Sequence, residues 1–398
     1  MSVKRNVLYV LSGLLLNCQD PVEKNISTWE PPVGTQYFVS ATPGQVISRS
    51  TLQVLASEFG EDVSPSLFKY DVQNYTLTYL TYYKGELVEA SGLVTIPLGM
   101  DTAGPIVSLQ HGTNFEKTDA PSVRDGIEGM ELFASAGYFT LMPDYLGYGK
   151  SDSIFHPYYD RNYSAGSVIH FIRATKEFLG KEGIHFNNKL FLAGYSEGGY
   201  VTLAAAKELA ENRAHDLTVT AVAAGAGGYD LPGMLREITT TTYYASPGYL
   251  AFVVMAYNKT YEWNKPLSYF FKEKYAEALS KYLNGQFSGS YINSKLTNRI
   301  EDLFNADFLQ SLRSDQGSLE IKEALRNNSV AGWKTEVPVR LYHGTKDEII
   351  PFKNSEITLQ KFQDAGSINV TLTPIPGGTH GSSFAPMVRE FVPWFLSQ

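Results

Sequence analysis

A chain of 398 residues that is 43% hydrophobic and 13% aromatic can bury a large core, as one large domain or as one domain carrying an insertion. Its net charge of -8 and lack of Lys/Arg runs argue against nucleic acid as a partner, and no basic amphipathic helix points to an anionic lipid surface. Neither a G-x-x-x-x-G-K-[ST] stretch nor a His/Cys cluster at metal-ligand spacing occurs, so no nucleotide cofactor and no metal are expected.

The chain opens on the basic start Lys4-Arg5 and a mostly apolar stretch from Val7 to Leu16, too short to span a bilayer, so residues 1–18 read as an export signal. Cys18, the only cysteine, stands directly beyond it and resembles the lipid-modified cysteine of a bacterial lipobox. Asn17 departs from that pattern, which prefers a small residue, and leaves a plainly secreted protein as the alternative. The expected location is therefore outside the cytoplasm, lipid-anchored in a bacterial envelope or secreted. Residues 19–60 read as an extended tether, rich in proline up to Gln36, and an N-terminal extension.

Tyr70 to Leu80 and Glu86 to Ile96, rich in Thr, Tyr, Val and Leu and separated by Tyr83-Lys84-Gly85, predict an antiparallel hairpin. Alternation follows: strand Ile106 to Leu109, helix Ser122 to Ala136, strand Phe139 to Pro143, helix Ser164 to Leu179, strand Leu190 to Ala193, helix Val201 to Asn212 and strand Val219 to Ala224. That succession predicts a mostly parallel central sheet with helices on both faces. Between Ala226 and Val337 it stops, and residues 231–332 are expected to form an inserted helical cap rich in aromatic residues, with helices from Glu273 to Leu283 and Ser318 to Asn327. Residues 61–230 and 333–398 would then make one catalytic domain.

Gly194-Tyr195-Ser196-Glu197-Gly198 lies between a strand and a helix, the setting in which a serine is lifted clear of a sheet on a sharp turn. Such a hydroxyl becomes a nucleophile only when an imidazole within hydrogen-bond reach takes its proton and a carboxylate orients that imidazole. In this arrangement the chain order is serine, acid, histidine, which leaves His215, His343 and His380 of the seven histidines. His215 is too close in sequence and reads as a solvated helix-end residue, and His343 ends the strand Val337 to Tyr342. Asp347, just past that strand, is the expected acid, ahead of Glu348, which would point elsewhere, and Asp364, which would face solvent. His380, in the glycine-rich loop Pro376 to Gly381 after the strand Asn369 to Thr373, is the expected base and Ser196 the nucleophile. The backbone N–H groups of Glu197 and Thr113 are the expected pair of oxyanion donors, with His111 bonded to loop backbone and Asp144 organising the turn to Gly149.

From Tyr70 to Trp394 the chain resembles the α/β-hydrolases, and among them the secretory lipase and esterase family. The resemblance rests on Ala90 to Pro97, His111-Gly112-Thr113, Ala136 to Tyr138, Pro143 to Gly149, Gly194 to Gly199, His343 to Asp347 and Gly378 to His380. It implies ester hydrolysis through an acyl-enzyme, with Ser196, Asp347 and His380 in the triad positions and a cap over the pocket. Glu197 departs from the glutamine common after the nucleophile, which keeps the backbone donor and alters the side chain. The substrate would be a small-molecule, lipid or carbohydrate ester, a feruloyl or acetyl ester being the alternative to a simple carboxylic ester. A serine peptidase, an acyltransferase and a non-catalytic binding protein are less favoured, because the chain is short for the first and keeps both serine and histidine against the last.

Overall fold

The structure, a computed structural model, describes residues 34–58, 64–127, 129 and 131–398. The signal segment, Cys18 and the tether up to residue 33 lie outside the described residues. The sheet begins at β1 (Phe38–Ile47), an edge strand within the stretch expected as tether and N-terminal extension, its β pattern interrupted by Pro43 and Gly44. Its pairing with β2 shifts register between Pro43 and Val46, as suits a proline confined to an edge. Helix α1 (Arg49–Glu58) follows.

Strands β2 (Val72–Tyr83) and β3 (Glu86–Pro97) form the predicted hairpin in unbroken antiparallel register from Val72↔Pro97 to Tyr83↔Glu86. Lys84 and Gly85, at φ 51° and 83°, make the two-residue turn whose twist matches the strands. The parallel part comprises β4 (Gly104–Gln110), β5 (Phe139–Pro143), β6 (Phe186–Tyr195), β7 (Ala221–Gly225), β8 (Val339–Gly344) and β9 (Val370–Ile375). Among the described residues they complete a nine-stranded sheet of order β1-β2-β3-β5-β4-β6-β7-β8-β9.

Alternate residues of the central strands feed two cores. Leu190 and Leu192 face α3 (Arg161–Lys181) and α4 (Glu197–Glu211), whereas Phe191, Ala193 and Tyr195 join the cluster containing Phe391 and Phe395 of α14 (Phe384–Leu396). Helix α2 (Glu131–Ser135) sits on the α14 side, where Phe133 stacks on Phe391. Helix α13 (Phe352–Asp364) joins β8 to β9.

One predicted helix is corrected. Instead of running from Ser122 to Ala136, it is confined to α2, because Gly126 and Gly129 take φ values of 128° and 80° that break a right-handed helix. The backbone N–H of Ser122 meanwhile donates to Asp144 Oδ1. Between β7 and β8 the chain forms eight helices, from α5 (Leu231–Thr240) and α6 (Pro247–Thr260) to α12 (Leu319–Asn327). No helix among the described residues is long and apolar enough to cross a membrane.

Candidate functional site

Ser196 sits between the end of β6 and the start of α4 at φ 59° and ψ -124°, a backbone conformation that costs a side-chain-bearing residue about 1–3 kcal/mol. Neighbouring glycines permit it. A Cβ at Gly194 would come within 2.3 Å of Gly198 O, and one at Gly198 within 2.0 Å of Gln110 O, so strand, turn and helix approach at backbone distance.

The end of β6, the loop after β8 and the loop after β9 bring three predicted residues together. His380 Nε2 lies 2.9 Å from Ser196 Oγ, and its Nδ1 lies 2.7 Å from Asp347 Oδ2. Because Asp347 is an acceptor when ionised, Nδ1 carries the proton and Nε2 presents its lone pair to the serine hydroxyl. Burial pushes the Asp347 carboxyl up, but hydrogen bonds from His343 and His380, the His380 charge and the N–H of Ile350 outweigh it and hold the group well below the usual carboxylate range. Its Oδ1 accepts from the N–H groups of Ile349 and Ile350 at 2.9 and 2.8 Å.

His343 has a place the sequence reading missed. Its Nε2 lies 2.8 Å from Ile350 O and 3.2 Å from Asp347 Oδ2, while Nδ1 lies 2.6 Å from Ser355 Oγ. A carbonyl only accepts, so Nε2 holds the proton and Nδ1 accepts from the serine; the imidazole braces the carboxylate from behind. Glu348, expected to point elsewhere, turns back and accepts the His380 N–H at 3.2 Å. Asp364 is exposed and bonded by Gln360. His215 is buried against Glu208 at 3.1 Å instead of being solvated, because the chain after α4 folds back beneath Arg173.

The turn after β4 faces the serine. A Cβ on Gly112 would lie 3.8 Å from Ser196 Cβ, and Thr113 beside it bonds Tyr158 through its hydroxyl at 2.7 Å. The first N–H groups of α4, Glu197 among them, have no acceptor further back in their own helix. The ring nitrogens of His111 face Gly112 O and Asp144 O at 2.7 and 3.2 Å. Asp144 is completely buried and receives the hydroxyls of Ser91 and Ser122, and a Cβ on Gly149 would strike its Oδ2.

A second pair adjoins the serine and was not visible in the sequence. The Glu197 side chain is 1% exposed, and its Oε1 lies 2.7 Å from Nε2 of His156. No spacing rule links residues 41 positions apart, one opening α4 and the other in a loop before α3. Above them lies α6, where Phe252 stacks on Tyr158 with centroids 4.6 Å apart and Tyr249 meets Phe115. Tyr244 reaches the carbonyl of Ile349 beside Asp347 at 3.0 Å. On the α14 side, an apolar cavity of about 330 Å³ lined by Leu109, Met142, Val388 and Phe391 borders Gly112 and Tyr195.

The secretory lipase family model matches residues 127–385, more than half of the chain. Lipase 10 of Candida albicans is 23% identical over 85% of this chain and 73% of its own length. A Legionella pneumophila protein provisionally described as a hydrolase superposes with a TM-score of 0.82 at 27% identity, covering 91% of this chain and 98% of that one. The rice cell wall degrading esterase LipA of Xanthomonas oryzae shares the fold, with a TM-score of 0.76 at 23% identity over 89% of this chain and 95% of its own. The chain belongs to the secretory lipase family, on the α/β-hydrolase fold, and is an ester hydrolase.

Proposed function

We propose that the chain cleaves carboxylic esters through an acyl-enzyme on Ser196, with His380 as general base and Asp347 as the acid that orients it. One observation carries the reading: the unbroken relay from Asp347 Oδ2 to His380 Nδ1 and from His380 Nε2 to Ser196 Oγ, at 2.7 and 2.9 Å. As Oγ attacks the ester carbonyl carbon, Nε2 takes its proton, and the imidazolium is stabilised by an aspartate that stays ionised. Negative charge gathers on the carbonyl oxygen, and in this proposal the N–H groups of Glu197 and Thr113 receive it. Nε2 then returns its proton to the departing alcohol. Water enters and gives a proton to the same nitrogen as its oxygen adds to the acyl carbon; the bond from that carbon to Oγ then breaks as Nε2 returns the proton to Ser196, and the carboxylic acid leaves.

Residues 231–332 act in this proposal as a cap over the catalytic domain of residues 61–230 and 333–398, and the contacts of Tyr244, Tyr249 and Phe252 with loops around the serine support that role. Export fits a family described as secretory, and we assign Cys18 as the site of a lipid anchor because it is a lone cysteine directly after a short apolar segment. A single acyl chain holds a protein on a membrane only marginally, so the anchor would need the several chains of a bacterial lipoprotein. Cys18→Ser should move active enzyme into the soluble fraction or stall its processing; an unmodified Cys18 in the mass spectrum of a soluble wild-type product would refute the anchor.

The activity itself is tested with p-nitrophenyl esters of graded acyl length against amides of the same acids, with feruloyl and acetylated-sugar esters beside them. Turnover of esters without amides supports the proposal. Cleavage of both points to a peptidase, and silence on every ester rejects it.

A further inference from the structure

Glu197 and His156 form a buried unit whose protons can be placed from geometry. Nδ1 of His156 lies 2.6 Å from the carbonyl oxygen of Leu146, which can only accept, so Nδ1 carries a hydrogen. Nε2 lies 2.7 Å from Glu197 Oε1, and two lone pairs at that distance would repel, so a second proton lies between them. Held by either atom, that proton leaves the pair without net charge.

The surroundings offer no substitute for the imidazole. Tyr145, Tyr148 and Tyr158 from the loops before α3 pack around His156, Tyr159 meets Tyr158, and burial keeps these phenols and that of Tyr249 on α6 protonated within reach of the Glu197 charge. The Tyr145 hydroxyl donates to His111 O and that of Tyr148 to Asn114 O, so neither proton is offered to the carboxylate. Other ionisable groups stand behind this layer: His111 stacks on Tyr145, and Asp119 acts on Tyr148. Glu197 Oε2 is buried without a hydrogen-bond partner. An ionised carboxylate with one unpaired oxygen among aromatic rings is costly unless a counter-charge adjoins it.

We propose that His156 is a positioning residue for the reaction: it holds Glu197 in a proton-sharing pair that fixes the N–H donating to the oxyanion and keeps the residue after the nucleophile electrically neutral. The inference rests on the reading of Glu197 as an oxyanion donor. Without His156, a carboxylate would stand one residue from the serine and oppose the negative charge that builds on the ester oxygen.

The test is the pH profile of kcat on a p-nitrophenyl ester for wild type, His156→Leu, Glu197→Gln and the double variant. In His156→Leu the carboxyl loses the imidazole that shares its proton, so in its ionised form it has no adjoining counter-charge. A descending alkaline limb is therefore expected in that variant, with kcat about 100-fold down above it, the scale of losing one oxyanion interaction, and KM little changed. Glu197→Gln added to His156→Leu should remove the limb and recover about tenfold of the loss. A His156→Leu profile shaped like that of wild type, or a double variant that keeps the limb, overturns the proposal. Should His156→Leu fail to fold, His156→Gln is read in the same way, because its neutral amide cannot supply the charge. Ser196→Ala serves as control: turnover surviving there would reject the nucleophile assignment, whereas the pair is judged only by the limb and its rescue.

Discussion

Replacing the Ser196 hydroxyl removes the nucleophile and no packing group, so Ser196→Ala should lower kcat on the order of a million-fold while thermal unfolding stays unchanged. Retention of more than about one per cent of turnover would reject the assignment, since binding and oxyanion donors alone leave far less. His380→Ala should cost nearly as much. Asp347→Asn should cost about 10⁴-fold, because the amide stabilises the wrong imidazole tautomer. His343→Ala should fall short of both: it removes a brace from Asp347 and leaves the N–H groups of Ile349 and Ile350 in place. Measured kcat values in any other order would reassign base and brace. The three residues of the relay were legible because each follows a strand in a fixed chain order. His156 and the bracing role of His343 were not, because those contacts arise only when strand, helix and loop residues converge in the fold.

Elements show the same division. The hairpin and the parallel strands announced themselves through β-branched and aromatic runs, whereas the stretch from Ser122 to Ala136 looked helical by composition and was broken by two glycines whose φ values only the fold reveals. Helix α3 begins three residues earlier than the apolar pattern suggested, at an N-cap. Asp160 Oδ1 accepts from the N–H groups of Asn162 and Tyr163 at 3.1 Å, and its Oδ2 accepts the hydroxyl of Tyr261, just past α6, at 2.7 Å. One carboxylate thus starts a helix of the sheet layer and fastens the end of α6 to it. Asp160→Ala should lower stability by about 2 kcal/mol or more, the upper range for a lost cap, since the Tyr261 hydroxyl loses its acceptor as well. Asp160→Asn should recover most of that. Equal unfolding midpoints in urea for the wild type and the alanine variant would show that the cap carries no weight.

For the molecule as a whole, β1 does more than lengthen the sheet. Tyr37, immediately before it, is buried and stacks on His170 of α3 at 5.0 Å, while the N–H groups of Tyr37 and Phe38 reach Glu177 of the same helix. Burial, followed by the charges of His215 and Arg173, pushes the His170 imidazole down from 6.5 to about 3. The neutral ring is therefore the form the fold holds. Below pH about 6.5 the unfolded chain binds a proton that the native chain refuses, so stability falls as pH drops through the window from 6.5 towards 3, by at most about 1.4 kcal/mol per pH unit from this group. Asp347 works in the same direction lower down, since a carboxyl held below its ordinary value stabilises the fold above pH about 4 and loses that contribution as it is protonated. Denaturant titrations from pH 7 to 4 should show a shallower slope for His170→Phe than for wild type, and an unchanged slope would remove His170 from the account. Truncation before Gln36 should leave kcat and the slope untouched, because the residues of the relay and the Tyr37–His170 stack all lie beyond the cut. Truncation through Ile47 should reduce stability sharply, because it strips the edge from β2 and uncovers His170; a truncated chain that unfolds like wild type would mean that β1 is an ornament on the sheet and no part of its closure.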